Sequence, residues 1–374
     1  MIRYLLAFGA ALSLGAAAMS QTPPPPAAPA PAPQRPDGAE HWTSSPDRMT
    51  FTATRISFPR SAGPVRLNRS VAFGQRNVGL DNALIYASDD RQMIATAYVY
   101  HPGLAHSGLA AVGGEAFMRA QSGEGFRLLA SRTVAAGGRA GVAIRADYAG
   151  FGREGDASSA AYLSVGAWMV KIRVTGPEAR RAEVERVTTD LLDGIRFEGD
   201  APRAAEPIEL VDCPAAGPAP PAALLAESAD EAMEDAIMSH ATGGPPTVPQ
   251  RWCVSSRRRT GNFSLPILRA VVGPPGEDSR RSVVFAFLTD SGGALEVAER
   301  RFRNRLRYAL MHHGTGQTRV LGSWDAPPTD SQVEAVIAGT DPAGGRARAT
   351  IQYQSSGDSG ITLHVVPPPR APTT

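Results

Sequence analysis

Apolar and polar residues alternate along MTFTATRISF (49–58) and QMIATAYVY (92–100), the period of a half-buried strand. Between strand-like runs, GLAAVGGEAFMRAQSG (108–123) has helical spacing, weakened by paired glycines. A meander follows in FRLLASRTV (126–134), RAGVAIRADYAG (139–150) and SAAYLSVGAWMVKIRV (159–174). Pro177 then opens a helix over 177–195. Proline suits a first helical position, and Glu178 suits the positive end of the helix. Val184, Val187, Leu191 and Leu192 fall on one face.

The pattern lapses over 199–222, which is rich in Pro and Ala and keeps no period. This divides a first domain (41–198) from a second (222–367), with a linker at 199–221 and a tail at 368–374. The second domain is predicted to open with a helix over 222–240. Strands are predicted at 263–272 (interrupted by Pro266), 282–289, 318–324, 332–339, 347–354 and 361–366. The turn signals TDPAGG and SSGDSG separate the last three. The stretch RRFRNRLRYALMHHG (300–314) fits two periods. As a strand, Phe302, Leu306, Tyr308 and Leu310 alternate with Arg303, Arg305 and Arg307; as a helix, Phe302, Leu306, Ala309 and Leu310 share a face. The run 294–313 contains no breaker, Glu296/Arg300 and Glu299/Arg303 are acid-before-base pairs four apart, and Gly314 follows as a stop, so a helix is expected. The predicted class is α+β: two small domains, each a mostly antiparallel sheet with flanking helices.

The succession of ATAYVY, a helix, AAYLSVGAWMVKIRV and a closing helix resembles uncharacterised secreted proteins of proteobacteria. Their layout is similar to the PsbP/Mog1-like fold, an antiparallel sheet flanked by helices. The resemblance covers the first domain only. It implies a fold, and it brings no catalytic residues with it.

Composition changes the picture chiefly at the N-terminus. Residues 1–20 read as a secretory signal: Arg3, an apolar run over 5–18, and small residues Ala18 and Ser20 before Gln21. The run is shorter than the roughly 20 residues that span a bilayer. No twin-arginine pair accompanies it, and no cysteine lies nearby for a lipid anchor. Residues 21–40 form a Pro/Ala-rich tether expected to be disordered and extended. The protein is therefore expected in the periplasm or outside the cell, and not in the membrane once the signal is cleaved. There, the cysteine pair Cys213 and Cys253 is expected to form a disulfide. The net charge is only +2, and of 38 basic residues every one but Lys171 is arginine, which lowers the weight of any arginine cluster.

The chemical motifs mostly dissolve on inspection. GDSG (357–360) resembles a serine-protease nucleophile loop but sits between two predicted strands, as a hairpin turn would. GFGREG (150–155) matches a dinucleotide fingerprint but precedes a strand where that chemistry needs a helix. YLSVG has Tyr162 where a nucleophile elbow wants glycine. The histidines show no metal spacing. No catalytic residue, cofactor or metal is assigned. Trp168 is expected in the core, and Trp252 in the core or against the disulfide. Tyr98, Tyr100 and Tyr162 would line a cleft if one face of the first sheet were open. Arg300, Arg303 and Arg307 would form an anion-contacting helix face. The leading expectation is a non-enzymatic envelope module that binds a protein, glycan or lipid. The alternatives are a hydrolase with a dispersed site, testable at Ser359 and His364, and an arginine-mediated binder of anionic lipid or glycan. Export argues against nucleic acid as a partner.

Overall fold

The computed structural model describes residues 39–73, 79–152, 155–213, 220–225, 229–241, 251–260, 263–271, 282–289, 293–340, 347–354 and 359–363. The residues read as signal and as tail, and most of those read as tether, lie outside these residues.

The first half begins with β1 (Trp42–Ser44), β2 (Arg48–Phe51), β3 (Ile56–Pro59), β4 (Ser61–Ala62), β5 (Val65–Ala72), β6 (Asp81–Ser88) and β7 (Ile94–Tyr100). Helix α1 (Ser107–Ser122) follows, then β8 (Arg127–Ala136), β9 (Arg139–Phe151), β10 (Asp156–Val165), β11 (Trp168–Gly176), α2 (Arg181–Gly194) and β12 (Arg196–Phe197). The second half contains β13 (Glu209–Asp212), α3 (Ala229–Ala241), β14 (Arg251–Thr260), β15 (Phe263–Ala270), β16 (Ser282–Phe287), β17 (Ala294–Phe302), β18 (Arg305–Gly314), β19 (Gln317–Trp324), α4 (Asp330–Ile337), β20 (Ala349–Tyr353) and β21 (Ser359–Leu363).

These strands form three sheets: β1-β2-β3-β12, β4-β5-β6-β7-β11-β10-β9-β8, and the nine-stranded β13 to β21 in chain order. Every pairing is antiparallel except β13 with β14. The class is thus mixed α+β, dominated by sheet. Residues Pro36–Thr374 form one compact unit. Among the described residues no helix is long and apolar enough to cross a membrane.

Alternation decides the layers. On the eight-stranded sheet, Ala95, Ala97 and Val99 with Val170, Ile172 and Val174 pack on Val184, Val187, Leu191 and Leu192 of α2 and on Phe51, Ile56 and Phe58 of the small sheet. The opposite face (Tyr100, Ala146, Tyr148, Ala160, Tyr162, Met169) receives Met118 of α1. The other side of α1, through Leu109 and Phe117, packs on Trp252, Leu268, Phe285 and Phe287 of the nine-stranded sheet. In β16, Phe285 and Phe287 face α1, while Val284 and Ala286 face Val333 and Val336 of α4.

The paired glycines of α1 make this two-sided packing possible. A Cβ on Gly113 would lie 2.7 Å from the Phe287 ring, and one on Gly114 would lie 2.0 Å from the Tyr162 hydroxyl. What weakens the helix locally is what lets it enter between two sheets.

Several expected elements change. The expected helix over 294–313 is the hairpin β17–β18, in register from Ala294↔His313 to Phe302↔Arg305. Its two-residue turn is Arg303-Asn304, both at positive φ (44° and 67°). That is the turn conformation matched to strand twist, built without glycine or proline, so no breaker marks it in the sequence. The expected strand over 332–339 is α4. Thr329 caps it, accepting from the Gln332 N–H while the Gln332 side chain accepts from the Thr329 N–H. The helix expected from 222 begins at Ala229, and Leu224 instead bridges to Trp324. The strand expected over 49–58 is two strands, β2 and β3. Strands β5, β6, β13 and β14 were not expected; β13 lies within the stretch taken for linker.

The disulfide joins Cys213 to Cys253, 40 residues apart. It sits at the parallel β13–β14 pair, where Val211 is opposite Cys253 and the Cys213 N–H donates to the Val254 carbonyl. A loop of this length stabilises the fold by about 4 kcal/mol in the chain-entropy picture.

The hairpin is directly testable. Replacing Arg303-Asn304 with Asn-Gly is expected to raise stability by about 1 kcal/mol, because both residues then suit positive φ. In a helix the same glycine would cost about 1 kcal/mol. Thermal melting followed by circular dichroism separates the two signs.

Candidate functional site

Val112, Glu115, Ala116 and Arg119 recur along α1 at spacings of three and four, so they share one face. That face meets Leu210 of β13, Val254 and Arg257 of β14, and Pro266 of β15 around a cavity of about 280 Å³. A bulge in β14 assembles the strand wall. The register shifts between Val254 and Ser256, so Val254 pairs with Leu268 and Arg257 with Pro266. The two partners are two residues apart on β15, so Val254 and Arg257, three apart in sequence, point to the same face. Without the bulge, Arg257 would turn away from the cavity.

The walls are apolar and the rim is charged. Leu210 is 41% exposed, a large apolar side chain left at the opening. The Arg119 guanidinium donates to the Glu115 carboxylate at 2.8 Å and lies 4.9 Å from the centre of the Phe126 ring. Arg257 is exposed and makes no ion pair among the described residues. Apolar walls with a few placed charges are the composition of a small-ligand site. A second cavity beside α1, lined by Tyr100, His106, Met169 and Phe287, measures about 30 Å³ and has room for one water.

A second constellation is buried in the nine-stranded sheet. His313 Nε2 lies 2.7 Å from Glu296 Oε2, and His313 Nδ1 lies 3.1 Å from Thr318 Oγ1. Thr318 Oγ1 is 3.1 Å from the Tyr353 hydroxyl. The distances allow Tyr353 to donate to Thr318, Thr318 to His313 Nδ1, and the His313 Nε2–H to the Glu296 carboxylate. Acid, imidazole and hydroxyl in sequence are the elements of nucleophilic hydrolysis. Yet Glu296, His313 and Thr318 are all but fully buried, and a Cβ on Gly103 would lie 2.3 Å from Thr318 Oγ1. The 101–103 segment therefore closes over the hydroxyl. His101 stacks on Tyr353 with ring centres 4.2 Å apart and meets Trp168 edge-on at 5.2 Å. The chain of groups fastens this segment to the nine-stranded sheet. Burial raises the Tyr353 hydroxyl pKa, against the lowering effect of its bond with Thr318.

The arginines singled out in the sequence do not converge as a helix face. Arg307 is 1% exposed and donates to both carboxylate oxygens of Asp235, at 2.9 and 3.3 Å. Burial raises the Asp235 carboxyl pKa, opposed by Arg307 and Arg300. Arg300 pairs across the ladder with Arg307, while Arg303 sits in the turn with its guanidinium over Phe302. Nor is the tyrosine face open: Tyr100 and Tyr162 are buried beneath α1, and only Tyr98 is part-exposed, stacked on Phe73. Trp168 and Trp252 are both core residues, the latter edge-on to Phe285.

GFGREG joins the paired strands β9 and β10, with Phe151 opposite Asp156. GDSG leads into β21, which pairs with β20; Gly357 and Asp358, like His364, lie outside the described residues. Cys213 and Cys253 are bonded as expected. Among the described residues no three His, Cys, Asp or Glu gather as a metal site.

Sequence reading missed Glu115, Arg119, Leu210 and Arg257. The 112/115/116/119 spacing was legible on α1, but β13 is too short to show a period and the β14 bulge hides its own alternation. The Glu296–His313–Thr318–Tyr353 chain draws on four strands and has no local signature.

No family model matches the chain, and no curated protein matches it. Among solved structures the chain has a weak similarity to cyanobacterial PsbP from Synechocystis sp. PCC 6803. Identity is 12%, over 40% of this chain and 91% of that chain, with a TM-score of 0.30.

His312 provides a pH test. Its Nδ1 contacts the Arg319 guanidinium, and burial, then Arg319 and His313, push its pKa from 6.5 down to about 4. The imidazole is held neutral in the fold while the unfolded chain takes up a proton. Stability is then full above pH 6.5 and falls as pH drops toward 4. The melting temperature should decline across that window. His312→Gln, which accepts from Arg319 without titrating, should make the decline shallower, and an unchanged slope would count against His312. Some slope remains from His106, whose pKa burial also lowers.

Proposed function

We propose that the chain is an exported, non-enzymatic binding module of the cell envelope, periplasmic or secreted, whose ligand enters the cleft between α1 and β13–β15. The observation that carries this reading is the 280 Å³ cavity with apolar walls, exposed Leu210 at its mouth and Arg257 on its rim. The signal-like 1–20 segment and the Cys213–Cys253 bond support export. In this reading 41–198 and 222–367 are two domains, and the ligand site lies where α1 of the first meets strands leading into and within the second.

A hydrolase is the second reading, and the Glu296–His313–Thr318 geometry is the observation in its favour. Closure of the site by the 101–103 segment weighs against it. Turnover of a p-nitrophenyl ester that is abolished by Thr318→Val would replace the binding proposal.

The binding reading predicts that small amphiphiles raise the melting temperature of the full chain in a thermal-shift screen, since a ligand that binds only the folded state stabilises it. Filling the cleft with Ala116→Phe, or placing an acid at its mouth with Leu210→Asp, should remove those shifts. Leu210 is exposed, so its variant keeps the core intact. Shifts that survive both substitutions would place the ligand elsewhere.

A further inference from the structure

The geometry points to one ligand class for the α1/β13–β15 cleft: we infer that it takes a short aliphatic monocarboxylate. This inference rests on reading the cleft as a binding site.

Size sets the first limit. A cavity of 280 Å³ falls just under the roughly 300–1,000 Å³ of pockets for drug-sized ligands. At about 30 Å³ per water in the liquid, it holds roughly nine waters' worth of volume. A chain of about eight carbons fills such a space, whereas a two-chain phospholipid does not. Val112, Ala116, Leu210, Val254 and Pro266 supply walls that such a chain would remove from water. Leu210 gains most, because it is now 41% exposed.

Charge sets the second limit. The rim carries two guanidinium groups and one carboxylate. Arg119 is engaged by Glu115 at 2.8 Å, which leaves Arg257 as the cation with no ion pair among the described residues. A planar guanidinium fork matches a carboxylate through two parallel hydrogen bonds. One unengaged cation answers one negative charge. A phosphate monoester would bring a second charge toward Glu115. A cationic amphiphile would meet Arg257 with no free acid to receive it, since Glu115 is already paired.

Isothermal titration of the full chain, with the Cys213–Cys253 bond intact, tests this with octanoate, octanol, octylammonium and octyl phosphate. Octanoate should bind saturably at one site, with octanol and octylammonium weaker by about tenfold or more, the effect of one charge-assisted hydrogen-bonded pair. Arg257→Gln should weaken octanoate by a similar factor and leave octanol unchanged. Arg257 is exposed, so an unaltered melting curve will show that the variant is folded. Octanol binding as tightly as octanoate, or octanoate indifferent to Arg257→Gln, would overturn the carboxylate assignment. So would tighter binding of octyl phosphate. If none of the four binds but other amphiphiles give shifts abolished by Leu210→Asp, only the ligand class fails. If the screen is also empty, the cleft reading fails with it.

Discussion

A helix that must be narrow on two sides constrains the rest of the structure. Among the described residues no strand of the first two sheets pairs with the nine-stranded sheet; the halves meet through a backbone bond from the Gly316 N–H to the His101 carbonyl at 2.9 Å and through side chains, many of them on α1. Leu109, Phe117 and Met118 are all buried, and full burial of such side chains is worth roughly 1.5–3 kcal/mol each. That gain requires close approach on both sides, which Gly113 and Gly114 permit against Phe287 and Tyr162. Two glycines in a helix interior cost about 1 kcal/mol each in propensity. The burial outweighs that cost, so the helix is stable where it is docked and weak as an isolated segment.

Burial on this scale traps charged groups, and the fold answers several of them with a partner. Asp147 accepts from Arg145 Nε at 2.8 Å, Arg132 at 3.2 Å and Ser159 at 2.6 Å, while Arg145 donates to Thr189 of α2. Arg307 and Asp235 tie α3 to β18 in the same way. Losing one member of such a pair leaves an uncompensated buried charge, typically a 3–5 kcal/mol effect. These pairs therefore serve orientation more than net stability: they specify where α2 and α3 sit on their sheets. The Glu296–His313–Thr318–Tyr353 chain extends the same logic across the joint. Its last member stacks on His101, the residue that directly follows β7.

Where local pattern and tertiary burial agree, the sequence was sufficient. Strands β8 and β9, the apolar stripe of α2 and the disulfide were legible, because each is stated within a few turns or by one pair of cysteines; 159–174, which reads as one run, is instead the hairpin β10–β11, turning at Gly166 with φ of 56°. The exchanges of helix and strand have a common cause. β17 and β18 are joined by Arg303-Asn304, two residues at positive φ that are not glycine, so 294–313 ran on without a visible break. Conversely, 332–339 alternates like a strand, and only the Thr329/Gln332 capping box betrays the helix. In the first case Glu296 looked like half of a helical ion pair with Arg300. In the hairpin it turns inward to His313, and the arginines scatter between the ladder, the turn and Asp235.

The cleft was illegible because its strand wall depends on departures from regular structure. β13 is four residues long, parallel in an otherwise antiparallel sheet and drawn from a Pro/Ala-rich stretch, and it supplies Leu210. The β14 bulge supplies Arg257. Strand β15 carries Pro266, which cannot donate to the ladder and is unusual in an interior strand. An edge strand so short gains little from its own hydrogen bonds. Cys213 follows it directly, bonded to Cys253 on the strand it pairs with. The disulfide thus does more than shorten the unfolded chain: it clamps the element that forms one wall of the cleft. The Cys213–Cys253 bond and the shape of the cleft are in this way parts of one arrangement.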